Sequence, residues 1–151
     1  MLESTGDIFN QPDADAICFT SNGIVKSNGE LVMGAGIAWE FRDRWPILAK
    51  FYGSYVKRFG NHVACIQVPV DRAMKRHVTI CSFPTKDNWR DKSKLPLIEQ
   101  SARELTKITT EHKWRRVYLT RPGCGWGGLT WEDVQPRIAS LLDDRFTVLT
   151  P

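Results

Sequence analysis

The sequence predicts an α/β domain with helices on both faces of one sheet. Short β-rich apolar runs alternate with longer stretches of helical period, and most of those runs are apolar on both faces, as strands buried between two helix layers are. No linker-like stretch or internal repeat divides the 151 residues, so residues 1–151 read as one domain. Asp15–Thr20 (DAICFT) is the first buried strand, followed by His62–Val68 (HVACIQV), His77–Phe83 (HVTICSF), Arg116–Thr120 (RVYLT) and Arg145–Leu149 (RFTVL). Gly36–Arg58 has helical period, interrupted at Pro46, whose ring removes a backbone donor and crowds the preceding turn. Pro96 opens a further helix in which Ile98, Ala102, Leu105, Ile108 and His112 form a sheet-facing stripe. Thr130 caps the last helix, with Val134, Ile138, Leu141 and Leu142 turned inward. The resulting order is β-α-β-β-α-β-α-β.

Composition removes several classes. With 42% hydrophobic and 25% charged residues, and no biased tract, the chain is neither disordered nor fibrous. No apolar run approaches the roughly 18 residues of a membrane helix, and Met1-Leu2-Glu3-Ser4 lacks the basic-then-apolar start of an export signal; a cytoplasmic protein with no membrane partner is expected. Cys18, Cys65, Cys81 and Cys124 are scattered, without Cys-x-x-Cys spacing or a histidine to complete a zinc site. They read as reduced thiols, mostly buried, and no metal is expected. A net charge of +4 favours anionic partners.

Ligands of open α/β sheets bind where loops leave the carboxyl ends of strands, and two glycine-bearing loops occupy such places. The first, Leu31-Val32-Met33-Gly34-Ala35-Gly36-Ile37-Ala38, runs into a helix whose N-terminus carries partial positive charge. The second, Arg121-Pro122-Gly123-Cys124-Gly125-Trp126-Gly127-Gly128, lies between the RVYLT strand and the capped helix and has room for a pyrophosphate. Either loop alone is compatible with an ordinary turn; two, each joining strand to helix, favour a phosphate ligand. Neither ends in the Gly-Lys-Ser/Thr of a P-loop, which disfavours a kinase or ATPase.

These loops, with Thr5-Gly6-Asp7-Ile8-Phe9 and Asp15-Ala16-Ile17 through Asn22 before them, resemble a macro domain along nearly the whole chain. The likeness is closest to the DarG-type DNA ADP-ribosyl glycohydrolases and more distant to the human terminal ADP-ribose glycohydrolase. Met33-Gly34-Ala35-Gly36-Ile37-Ala38, Phe83-Pro84-Thr85-Lys86 with Trp89 and Lys92-Ser93, and Gly123-Cys124-Gly125-Trp126-Gly127-Gly128-Leu129 carry it. It implies a three-layer α/β/α fold, a central mixed sheet of about six strands, and ADP-ribose in a cleft at the strand ends.

The resemblance also implies roles. Asp7 accepts from the exocyclic amine of adenine and Ile8 packs beside the ring. Met33, Gly34, Ala35, Gly36 and Ile37, with Gly123, Cys124, Gly125, Trp126 and Gly127, surround the phosphates and ribose; Cys124 serves as a small filler. Asn22 matches the second Asn of the family's Asn-Ala-Ala-Asn stretch beside the distal ribose and, with Lys86, is expected among the catalytic residues. Phe19 replaces the first Asn, and Lys26–Glu30 adds polar residues to the loop that follows. Lys86 matches the catalytic nucleophile. An amine must shed its proton to attack, which burial or adjacent cations promote, and Arg90 and Lys92 are near in sequence. The alternative for Lys86 is a surface ion pair with Asp87 or Asp91. Glycine at position 127, where the human branch has an acidic residue, points to the DNA-directed branch.

The expected function is therefore removal of ADP-ribose from a nucleic-acid base, most readily on single-stranded DNA, by a monomer that needs no cofactor. Trp89 would stack on a base while Arg90 and Lys92 meet phosphates. Two other readings stand beside it: a non-catalytic ADP-ribose-binding module, and a hydrolase of a small ADP-ribose derivative. The branch implies a toxin–antitoxin or phage-defence setting; its members usually carry a second, toxin-neutralising domain, for which this chain has no room. Trp39, Trp45 and Trp131 are expected to pack, and Lys75-Arg76-His77 and Lys113-Trp114-Arg115-Arg116 to mark a turn and a helix end.

Overall fold

The computed structural model describes residues 1–71, 73 and 76–151. Its elements are β1 (Leu2–Thr5), β2 (Ala16–Ser21), α1 (Gly36–Arg44), α2 (Ile47–Phe59), β3 (Cys65–Pro69), β4 (His77–Pro84), α3 (Leu95–His112), β5 (Val117–Thr120), α4 (Trp131–Ala139) and β6 (Phe146–Thr150). All six strands form one sheet in the order β1-β6-β5-β2-β4-β3, parallel throughout except for the antiparallel edge pair β3/β4. This is the expected α/β/α sandwich with a mixed sheet.

Strand pleat explains the layers. Successive side chains of β2 alternate, so Ile17 and Phe19 join Phe41, Leu48 and Tyr52 of α1 and α2. Ala16 and Cys18 instead join Ile98, Ala102 and Leu105 of α3 and Val134 and Ile138 of α4. The Tyr52 hydroxyl lies 2.8 Å from the Ile80 carbonyl and 3.1 Å from that of Ala64, tying α2 to the β3/β4 edge. The break at Pro46 divides two helices as expected, and Thr130 Oγ1 accepts from Asp133 N at the start of α4.

Several expectations are corrected. β1 has no apolar run to announce it, because all four of its residues are exposed and its place is set by pairing with β6. β3 begins at Cys65 rather than His62, since the Glu104 carboxylate on α3 takes the Val63 N–H and faces His62 Nδ1. His112 leaves the buried stripe of α3, which ends at Thr109, and stacks on Trp114. Trp39 is 48% exposed on α1 instead of packed, whereas Trp45 and Trp131 pack and donate to the Pro69 carbonyl and to Glu3. Cys65 and Cys81 are not separate thiols: they stand directly opposite on β3 and β4, Cα atoms 4.3 Å apart, and form a disulfide. Cys18 remains a free thiol, pushed far above its ordinary pKa by burial. Of the basic turn, Lys75 lies outside the described residues.

Candidate functional site

The carboxyl ends of β2, β4 and β5 meet at one rim of the sheet. Beyond β2 the chain makes an excursion before reaching the first glycine loop. Asn22 closes its neck: Nδ2 donates to the Val32 carbonyl (2.9 Å) and Oδ1 accepts from Ile24 N (3.0 Å). The polar stretch Lys26–Glu30 is a small turn in this excursion, held against α2 where Gly53 leaves room for the Gly29 carbonyl. Asn22 is thus buried and engaged through both amide atoms, so its clearest role is to bring Met33–Gly36 back to the end of β2.

Gly34, Ala35 and Gly36 are exposed, whereas Met33 is buried in the core and offers only its backbone. Ala35 precedes α1 without supplying a side-chain cap, so the first-turn amides face out unsatisfied by any cap. Gly36 has φ +58°, a left-handed conformation, and the Trp126 indole lies against it: a Cβ there would sit 3.1 Å from Cδ1. The two loops expected to cradle one ligand therefore touch.

The second loop is shaped by its own backbone. Leu129 N donates to the Gly123 carbonyl and Gly128 N to that of Gly125. Among the described residues the N–H groups of Gly125, Trp126 and Gly127 have no partner, an arrangement suited to an anion. Gly127 is packed so tightly that a Cβ would overlap Ser93 Oγ and the Gly123 carbonyl, while Ser93 N donates to the Gly127 carbonyl. Cys124 is half-buried, and burial raises its thiol above the ordinary range, consistent with a space-filling role.

Lys86 follows β4 on a loop whose ends are tied by Lys94 N to the Thr85 carbonyl, 2.8 Å. Thr85 N donates to the Ser21 carbonyl and Gly23 N to that of Asp87, so Lys86 and Asn22 leave neighbouring strands side by side. The Lys86 amine contacts the Trp89 carbonyl at 3.5 Å and makes no ion pair among the described residues. Asp87, its candidate partner, pairs with Lys94 instead (3.4 Å) and accepts from Asn61 Nδ2 (3.2 Å). The same Asn61 nitrogen donates to the Lys86 carbonyl at 3.1 Å. Trp89 is 48% exposed with the Arg90 guanidinium 4.8 Å over its ring, and the Lys92 stem runs beside Gly128 of the second loop.

Asp7 is exposed; Oδ1 accepts from Phe9 N, leaving Oδ2 without a described partner. Ile8 is buried among core residues. Two further residues organise the site, of which Asn61 gave no signal in sequence and Ser93 was marked only by the resemblance. Asn61 sits far from Lys86 in the chain, and Ser93 acts through its fit to Gly127. Among the described residues no cluster of three or more His, Cys, Asp or Glu is placed to ligate a metal, and no helix is long and apolar enough to cross a membrane.

No family model matches the chain. A DNA ADP-ribosyl glycohydrolase of Mycobacterium tuberculosis is 32% identical over 136 residues, which is 90% of this chain and 37% of that relative. The chain therefore spans little more than a third of the length of such relatives. The macrodomain of Mycobacterium tuberculosis DarG superposes with a TM-score of 0.78 at 30% identity, covering 99% of this chain and 97% of that one. Thermosipho africanus DarTG, solved in complex with ADP-ribose, shares the fold with a TM-score of 0.81 at 20% identity, over 97% of this chain and 40% of that one. Loops, sheet order and overall similarity agree: the chain belongs to the macrodomain family, among the macrodomains of DarG proteins.

Proposed function

We propose that this macrodomain binds ADP-ribose across its two loops and releases it from a nucleic-acid base, on single-stranded DNA, with Lys86 as nucleophile. The observation that carries the reading is the setting of Lys86. Its backbone is held by Asn61, the neighbouring carboxylate is occupied by Lys94, and among the described residues its amine has no ion pair at the strand end beside Asn22. The amides of Gly125–Gly127, unpaired among the described residues, and the start of α1, which has no side-chain cap, suit the diphosphate, and the Asp7 oxygen without a described partner suits an adenine amine.

The reaction follows from the amine. The unprotonated Lys86 Nζ attacks the anomeric carbon of the distal ribose; the C–N bond to the base breaks, and its electron pair leaves with the base nitrogen, which takes up a proton. Water then adds to the lysyl adduct, freeing ADP-ribose and the amine. Trp89, with Arg90 on one face, and Lys92 lie on the Lys86 loop, where an acceptor strand would pass. The names of the relatives support this substrate, and the role of a DarG-type antitoxin is proposed on the same basis.

Lys86→Ala is expected to abolish release of ADP-ribose from a modified single-stranded oligonucleotide while leaving affinity for free ADP-ribose within about twofold. Undiminished turnover would remove the nucleophile. Turnover of ADP-ribosylated protein at the same rate as DNA would remove the DNA preference.

A further inference from the structure

Helix α2 brings its carboxyl-terminal end to the same rim as Lys86. β3 runs antiparallel to β4, with Cys65 opposite Cys81 and Pro69 opposite His77, so it starts at the end where β4 finishes. Only residues 60–64 lie between α2 and that start. Gly60, at φ +92°, turns the chain out of the helix, and Asn61 Nδ2 then donates to the Lys86 carbonyl at 3.1 Å and to Asp87 Oδ1 at 3.2 Å. Phe59 comes two residues before Asn61, so the two backbones lie within about 7 Å of each other.

The last turn of α2 is unlike a buried helix end. Phe59 is 55% exposed and belongs to neither core cluster. The Arg58 guanidinium stands 5.0 Å from its ring centroid, and the Tyr55 ring 4.9 Å from it. Lys57 and Arg58 make no ion pair among the described residues, and the sequence has no acidic residue between Arg44 and Val70. Asp87 and Glu104, the carboxylates bonded to the 60–64 connection, are met by Lys94 and by His62 Nδ1 with the Val63 N–H. Cations in a last turn complement the carbonyl end of a helix, which accounts for the charge but not for an uncovered ring.

The arrangement repeats that of Trp89, 48% exposed with Arg90 4.8 Å over its ring. Two exposed rings, each with its own arginine, are thus attached to the Lys86 segment, one on its loop and the other through Asn61. Open π-faces among unpaired cations suit a single nucleic-acid strand, whose bases stack while its phosphates meet the charges. An acidic protein segment would match the charge alone. Resting on the function proposed above, we propose that Phe59, with Lys57 and Arg58, is a second stacking station for the acceptor strand. It holds an unpaired base a short way along from the nucleotide at Lys86, while ADP-ribose occupies the two glycine loops.

The probes are a fluorescent, unmodified single-stranded DNA decamer, the same sequence as a duplex, and free ADP-ribose, titrated at one ionic strength. Phe59→Ala should weaken single-strand binding by about tenfold and leave duplex binding within about twofold, because a paired base cannot lie on the ring. Arg58→Glu should weaken both DNAs by about tenfold. Neither should move ADP-ribose affinity more than about twofold, and Lys107→Glu, the same reversal on exposed α3, should change nothing by more than that. A parent protein that does not bind the decamer, decamer affinity unchanged in both α2 variants, or equal losses for duplex and single strand in Phe59→Ala would each overturn the station. Selective loss of single-strand binding in a protein that releases no ADP-ribose would support the station and strike the glycohydrolase reading alone.

Discussion

Trp126 rests on Gly36. The contact joins the tip of one glycine loop to the first residue of α1 in the other, although the two are 90 positions apart in sequence. Trp126 is also the most exposed large apolar side chain among those described, at 81%. An indole so placed contributes little to the core and is positioned to cover whatever lies between the loops.

Trp126→Ala should therefore leave thermal stability nearly unchanged while weakening ADP-ribose binding by about tenfold, or ~1.4 kcal/mol. Gly36→Ala disturbs the same contact from the other side and forces a Cβ onto a left-handed backbone, so it should lower both affinity and melting temperature. Calorimetric titration with ADP-ribose checks both. A Trp126→Ala protein with unaltered affinity would show that the indole covers nothing.

The glycine at position 127 has a steric cause in this chain. Its missing Cβ makes room for Ser93 Oγ and for the Gly123 carbonyl. Gly127→Ala should destabilise the fold by about 2 kcal/mol or more, through forced movement of the loop. Ser93→Ala alone removes an unpartnered buried hydroxyl and should be neutral or stabilising by up to about 1 kcal/mol. The double variant should recover only part of the loss, since the backbone carbonyl remains. Urea denaturation of the three proteins decides it, and full recovery in the double variant would contradict the geometry.

Much of this architecture was readable beforehand, for reasons visible in particular residues. The five core strands were marked by runs such as DAICFT and HVTICSF, and Pro46, Pro96 and Thr130 punctuated the helices as proline and cap chemistry require. β1 was silent because Leu-Glu-Ser-Thr buries no face; only its partner β6 defines it. The loops were legible through their glycines, but their mutual contact was not, since it depends on where β2 and β5 end in space. Asn61 was hidden for the same reason: its tie to Lys86 arises from the antiparallel turn of the edge strand. The cysteine pair was missed because spacing in the chain says nothing about register across β3 and β4.

Asn22 illustrates a residue whose structural work can be separated from chemistry. Asn22→Asp keeps the acceptor for Ile24 N but replaces the donor to the Val32 carbonyl with an oxygen facing an oxygen. A loss of about 2 kcal/mol is expected, with ADP-ribose affinity falling as the first loop loosens. Asn22→Ala should behave similarly. Stability equal to the parent, by thermal denaturation, would mean that the neck of the excursion is held by other contacts.

The last prediction concerns acid. Asp143 is held below the ordinary carboxylate range chiefly by the side-chain hydrogen bonds of Arg145, against the opposing effect of burial, with help from the Arg145 backbone N–H, its charge and the chain's amino terminus. The guanidinium meets both oxygens, Nε to Oδ1 and one terminal nitrogen to Oδ2, each at 2.8 Å. Because the folded pKa is the lower one, the unfolded chain binds a proton first as pH falls. The pair's contribution is therefore complete above the unfolded value, about 3.9, and disappears as pH drops through the folded value. Asp143 is 55% exposed, so solvent screening limits the gain to less than about 1 kcal/mol at neutral pH, and salt should shrink it further. Asp143→Asn should accordingly be slightly less stable than the parent at pH 7, with the gap closing toward about pH 3. Urea titrations at both pH values measure it; a gap that persists or widens in acid would place the effect in packing and not in the ion pair.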